Sequence, residues 1–474
     1  MSFRNLCCLA VLAAGFFSFL RSSAFGQAPK AAADMSDAEI RAILSGRLDP
    51  QRDTGIVAGL IHEGHTHVIA AGKAGPGNFR AMDGDTVFEI GSATKVFTAV
   101  LLADMMERGE MRLDDPAAKY LPSAVRIPSR NNRQITLLDL ATHTSGLPRL
   151  PSNLNPKDPA NPYADYSVGQ LYAFLSGYAL PRDIGEQFEY SNLGMGLLGH
   201  ILALKAGTTY EALISKRILN PLGMKDTAIT LSPKLRARMA QGHNSAGSAV
   251  ADWDLPTLAG AGALRSTVND MLRFVSANLA AAGPLAPALR LTHESRRAIG
   301  TPDGSIGLAW LLRRGFGTEI VWHNGGTGGF HSFLGFDPKI GDGVVILHNS
   351  AAGIDDIGFH LINGRFPMTR PAAPPKSRRE IAVDSSLLDS YVGEYELAQN
   401  VRMTVTNEGG QLFIQVTGQS RLPVYAESEA EFFYKVVDAQ VTFVIDPAGQ
   451  VTGIVLHQGG RDTPGKKVKL EPLL

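Results

Sequence analysis

The chain has 474 residues but only two cysteines. These are Cys7 and Cys8, so everything after them must fold without a disulfide framework. Neither sign of charge is in excess, with 45 Lys+Arg against 45 Asp+Glu. That balance leaves no broad polycationic surface for nucleic acid. Internal repeats and low-complexity blocks are missing, and the 50 glycines are scattered. The most apolar run, Leu6 to Leu20, is short for a bilayer span, which takes about 20 residues.

Several chemical motifs are missing too. "HEGHTH" (62–67) lacks H-E-x-x-H spacing and lies at a strand turn, so His62 and His67 read as solvated hairpin residues and no metal is expected. "GGTGGF" has no following Lys-Ser/Thr and is no phosphate loop. Ser145 in "HTSGLP" lacks the G-x-S-x-G context of a nucleophile elbow. No cofactor is implied.

What is present begins with an address. Arg4, the apolar run and small residues before Gln27 follow the order of a secretory signal, with cleavage expected after Gly26. Cleavage removes Arg4, Arg21 and no acid, leaving a formal charge of −2. The expectation is an exported protein, periplasmic or secreted, with no stable membrane span after cleavage. An uncleaved anchor is the rival that the short run disfavours.

Residues 27–367 form the expected main domain. "SDAEIRAILSGRL" has capping-box spacing at Ser36 and Glu39 and an apolar face of Ile40, Ile43 and Leu44. "GIVAGLIHEGHTHVIAAGKAG" reads as two strands around Glu63-Gly64, and strand patterns return at "TEIVWHN", "HSFLGFD" and "DGVVILHNS". Helical stretches and long loops fill the interval, which predicts an α+β fold: one antiparallel sheet carrying an inserted helical region. A Pro- and Arg-rich linker follows over 368–383. Short β-branched and aromatic runs over 384–474 then predict an all-β barrel or sandwich.

Within the main domain, "EIGSATKVFT" (89–98) places a lysine in a first helical turn, where the macrodipole repels it. Lys95 lies three residues after Ser92, so the two share a helix face. Burial and the dipole would lower the lysine pKa and make it a base for the serine hydroxyl. Taken alone, the pattern also fits a serine cap followed by a solvated lysine. Two further groups accompany it: Tyr190 and Asn192 just before a helix, and His323-Asn324-Gly325 at a strand end.

S-x-x-K, Y-x-N and H-x-G in this order resemble the active-site motifs of the serine β-lactamase and penicillin-binding protein family, in its class C-like branch. The likeness extends over about residues 37–365 and includes "LLDLATHTSGLP", "NPLGMKDT" and "AGALRSTVNDMLRF". The resemblance implies a serine hydrolase. Ser92 would form the acyl-enzyme, Lys95 would take its proton or tune its base, and Tyr190, whose phenol can titrate if nearby cations lower its pKa, would relay the proton to the leaving group and later activate water. Asn192 would hydrogen-bond the substrate amide or Lys95, and His323, Asn324 and Gly325 would bind substrate, with the Ser92 and Gly326 backbone N–H groups as oxyanion donors. The family's third motif is often K-T-G; histidine is a weaker, pH-dependent cation, which puts strong β-lactam carboxylate recognition in doubt. The expected substrate is a small molecule or peptide, peptidoglycan-derived material included, cleaved as a peptide, amide or ester in the manner of a D-Ala-D-Ala carboxypeptidase or an esterase. The alternatives are a class C-like β-lactamase and a non-catalytic sensor of peptidoglycan fragments. "LDSYVGEYEL" resembles the start of the lipocalin-like barrel appended to some relatives.

Overall fold

A computed structural model describes residues 30–49, 52–75, 81–280, 282–369, 378, 380–398, 401–417, 421–434, 439–458 and 461–468. The expected signal segment (1–26) and most of the expected linker (370–377 and 379) lie outside them.

The central feature is an antiparallel sheet of eight strands: β1 (Gly55–His62), β2 (His65–Gly72), β3 (Arg297–Ala298), β4 (Gly304–Ile306), β5 (Leu311–Gly315), β6 (Thr318–Gly326), β7 (His331–Asp337) and β8 (Asp342–His348). Their order is β2-β1-β8-β7-β6-β5-β4-β3. Hence strands from the two ends of the domain meet at the β1–β8 pair, where Ala58 faces Ile346. The 224 residues between β2 and β3 (73–296) are the helical insertion the sequence predicts.

Both faces of the sheet are covered, which is why β1 and β8 read as nearly unbroken apolar runs. Side chains alternate across a strand. Val57, Ile61, Val345 and Leu347 therefore enter one core, beside helices Thr94–Glu107, Asn192–Ala206 and Val268–Ala280. Ile56, Ala58, Leu60, Val344 and Ile346 enter the other, beside helices Asp37–Arg47 and Asp355–Ile362. The first of those two helices carries the full capping box: Ser36 accepts from the Glu39 N–H, and Glu39 accepts from the Ser36 N–H.

Thr94–Glu107 is the central helix. Residues 94–105 are all buried, so it has no solvent face to offer a charged residue. Ser92 lies just before it, in a 3₁₀ turn (Gly91–Ala93) entered from the short strand Phe88–Glu89. The regular helix thus begins two residues later than the sequence pattern suggests.

Residues 393–467 form a closed barrel of eight antiparallel strands in sequential order. Closure comes from Gly393–Ala398 pairing with Arg461–Lys467, where Tyr395 faces Lys467. This settles barrel over sandwich. Its core, centred on Tyr391, Tyr395, Phe432 and Phe443, shares no residue with the two cores of the sheet.

Candidate active site

Lys95 is fully buried, and its Nζ has three oxygen partners. They are Ser92 Oγ at 2.8 Å, Asn192 Oδ1 at 2.8 Å and the Ala261 carbonyl at 2.7 Å. Burial, reinforced by the positive charge of Arg149, drives the amine well below its ordinary pKa. A neutral amine has two N–H donors and one lone pair. The carbonyl and the amide oxygen can only accept. Both N–H groups therefore go to Ala261 and Asn192, and the lone pair is left for the Ser92 hydroxyl.

The carbonyl of Ala261 is delivered by the short helix Ala259–Gly262. That helix packs so tightly on Asn192–Ala206 that a Cβ at Gly199 would come within 2.8 Å of Gly260 Cα. No residue type marks this third partner in the sequence, because a backbone oxygen has none.

Tyr190 and Asn192 are aimed by the residue between them. Ser191 caps the following helix by accepting from the Gly194 N–H at 2.8 Å, and its hydroxyl donates to the Pro148 carbonyl at 2.7 Å. The Ser191 N–H donates to His143 Nδ1 at 3.1 Å, while the N–H groups of Asn192 and Leu193 donate to the Arg149 carbonyl. Residues 143–149 thus form the bracket for the Tyr-Ser-Asn segment, a role hidden when they are read only as a connecting stretch. His143 takes up this position with φ of 56°, in the left-handed region.

The Tyr190 ring has its centroid 4.9 Å from Lys95 Nζ. Its pKa moves opposite to the sequence expectation. Burial pushes the phenol up to about 12, outweighing the Ser92 hydrogen bond and the charge of Arg149, which act to lower it. At neutral pH the group is a proton donor, not a phenolate.

The third motif is corrected more sharply. His323 is fully buried and its Nδ1 lies 2.5 Å from the Asn324 carbonyl, which can only accept. Nδ1 therefore carries the proton and Nε2 is a bare, unpartnered lone pair among the described residues. Burial is the largest cause that lowers its pKa to about 3, so it is no cation at neutral pH. The Asn324 amide does not reach out for substrate either: Nδ2 donates to Asp355 Oδ2 at 2.6 Å, and Asp355 Oδ1 also contacts His331 Nε2 at 2.9 Å.

The two glycines beside them act through close approach. A Cβ at Gly325 would lie 1.9 Å from the Ile90 carbonyl, and one at Gly91 would lie 2.9 Å from the Gly326 nitrogen. Here β6 touches the turn that carries Ser92, and the N–H groups of Ser92 and Gly326 belong to these adjoining segments. Asn192, expected to contact either substrate or Lys95, contacts Lys95.

The residues set aside as non-catalytic sit elsewhere. His62 pairs with Asp342 at 2.8 Å and His67 with Asp37 at 3.0 Å, both histidines exposed. Ser145 accepts from the Leu147 N–H in the interior of its loop. Among the described residues no cluster could hold a metal ion, and no helix is long and apolar enough to cross a membrane.

Comparison with known proteins agrees with this geometry. Residues 40–362 match the Beta-lactamase family, and residues 377–470 match a domain of unknown function, DUF3471. The chain is 30% identical over 394 residues to the D-alanyl-D-alanine-carboxypeptidase/endopeptidase AmpH of Escherichia coli, covering 78% of this chain and 100% of that one. It is 28% identical to a beta-lactamase of Pseudomonas fluorescens, covering 66% and 94%. Among solved structures, a beta-lactamase/D-alanine carboxypeptidase from Yersinia pestis superposes with a TM-score of 0.60 at 26% identity, over 69% of this chain and 94% of that one.

Proposed function

The chain belongs to the beta-lactamase family, and from that premise we propose how its residues divide the work of a serine hydrolase acting through an acyl-enzyme. Ser92 is the nucleophile and Lys95 its base. The observation that carries this assignment is the buried lysine whose only undirected orbital faces the Ser92 hydroxyl.

In acylation the Ser92 proton passes to Lys95 as Oγ bonds the substrate carbonyl carbon. The N–H groups of Ser92 and Gly326 hold the developing oxyanion. Tyr190, protonated at neutral pH, donates to the leaving atom as its bond to carbon breaks, and regains a proton from the Lys95 ammonium by way of the shared cleft. A water then repeats the sequence in reverse on the acyl-enzyme, losing its proton to the same pair. Asn192 acts mainly by orienting Lys95, and Gly326, where an added Cβ would meet nothing within 4 Å, leaves room for substrate backbone along β6, while Gly325 makes room for Ile90 and not for substrate.

The substrate is a peptide, amide or ester, as in D-Ala-D-Ala carboxypeptidases or esterases, rather than a β-lactam. The neutral His323 and the Asp355-bound Asn324 support this reading, because a third motif without a cation offers a β-lactam carboxylate little. Export, the division at about residue 367 and the barrel's status as a separate domain belong to the same proposal. The test is labelling with a fluorophosphonate: wild type is modified at Ser92 and Ser92→Ala is not. Label retained in the variant would reassign the nucleophile.

A further inference from the structure

The two walls that flank Ser92 carry opposite electrostatics. On the β6 side, His323 is neutral and Asp355 lies behind Asn324 and His331. On the helix side stands Arg149, an exposed residue with no carboxylate partner among the described residues. Its guanidinium carbon lies 5.2 Å from the Tyr190 ring centroid. The charge is felt by Lys95, His143, Tyr163 and Tyr190 alike, which places it at the cleft and not on a remote surface. It is also held in place: the Arg149 carbonyl receives the first two N–H groups of the helix that begins at Asn192. A cation stacked on an aromatic face is pre-oriented, because the ring attracts it and restricts its rotamers.

We propose that Arg149 is a specificity-determining residue that selects acyl donors bearing an anionic group, a carboxylate, on the acyl side of the scissile bond. This rests on the reading of Ser92 as nucleophile. The acyl side is assigned because Arg149 shares its wall with Tyr163 and Asn192, whereas Asp355 repels an anion from the β6 side. Planar guanidinium and carboxylate groups match in a paired, charge-assisted contact. Lys95, the other basic side chain beside Ser92, has its charged form disfavoured by burial.

Three esters of matched length test it: 4-nitrophenyl hexanoate, 4-nitrophenyl hemiadipate, and 3-carboxy-4-nitrophenyl hexanoate. Wild type should favour the hemiadipate, with a preference that weakens as salt rises. In Arg149→Gln, KM for the hemiadipate should rise about tenfold, the size expected for losing one charge-assisted contact at a solvated rim. Arg149→Lys should restore part of the preference. Removing this charge also raises the Lys95 pKa, but that change acts on all three esters and cancels in their ratios. An equal loss on all three in Arg149→Gln would reduce Arg149 to a tuner of Lys95 and overturn the proposal. A loss confined to the carboxyphenyl ester would overturn the acyl-side assignment. A wild type that cleaves none of them would refute the Ser92 reading instead, and with it the proposal.

Discussion

Between residues 30 and 369 the chain buries a lysine and several histidines; among the described residues from 380 to 468 it buries neither. The barrel's largest fully buried polar side chains are tyrosines whose hydroxyls have ordinary partners, and Asn407 Oδ1 is its one buried side-chain atom without a partner among the described residues. Tyr391 donates to the Glu429 carbonyl at 2.7 Å and Tyr395 to the Tyr391 carbonyl at 2.7 Å. In the other half, burial disfavours the charged forms of Lys95, His143, His323 and His348, and His143, His323 and His348 each keep a ring nitrogen without a partner among the described residues. An unsatisfied buried polar group costs about 1–3 kcal/mol. The contrast separates a core arranged for cohesion from one that gives up cohesion to hold reactive groups out of water.

The sharpest way to test that contrast is at Lys95. Lys95→Met keeps the volume but leaves Ser92, Asn192 and Ala261 without their shared partner. Turnover should fall by about 10³-fold or more, in keeping with the loss of a positioned general base. Thermal stability should fall modestly, since the Ala261 carbonyl and the Asn192 amide oxygen lose their donor while the cost of burying the amine is relieved. A variant within tenfold of wild-type kcat/KM would show that the base lies elsewhere.

The complementary change is Phe443→Ala, which removes a ring stacked 4.0 Å from Tyr391. It should cost the barrel about 3–5 kcal/mol, while turnover per folded molecule and the signal of the tryptophans stay unchanged. Trp253, Trp310 and Trp322 are the whole tryptophan content and all lie before residue 369, so their fluorescence reports one region alone. A parallel drop in activity would mean that the two halves fold as one unit.

The mildest effect is expected from acid. His293, His323 and His348 have folded pKa values lowered to about 4, 3 and 3, against 6.5 in the open chain. Below pH 6.5 the unfolded chain takes up protons that the folded chain refuses, so stability falls as pH drops towards 3. Glu89, raised to about 7 by burial, works the other way between 4.5 and 7, as do the raised Asp270 and Asp337 at lower pH, but His143 and His200, also lowered by burial, add to the three histidines. The fluorescence-detected midpoint should fall by on the order of 5–10 °C between pH 7 and 5. A second, calorimetric transition from the barrel should move less; equal shifts would erase the distinction.

Local features were legible in the sequence, and non-local ones were not. The cap at Ser36, the Ser92–Lys95 spacing and the Tyr190-Ser-Asn192 helix entry depend on neighbours three or four residues apart, so they could be read directly. The state of His323 could not, because what removes its charge is burial by chain segments distant in sequence. The same holds for the rise in the Tyr190 pKa and for the capture of Asn324 by Asp355. Arg149 stayed hidden because a single arginine in a loop has no pattern until Tyr190 is placed beneath it. Barrel closure also needs a pairing between segments about 70 residues apart, which strand spacing cannot supply.

The contact of Gly325 with the Ile90 carbonyl sets a limit on how this molecule can diversify. With no space for even a methyl group, the floor of the cleft cannot be reshaped by ordinary substitution, nor can it swing apart and reclose without breaking β6. New preferences must therefore arise at the rim, along the long loop that runs from Arg149 to Tyr166, where changes leave the reacting atoms in register.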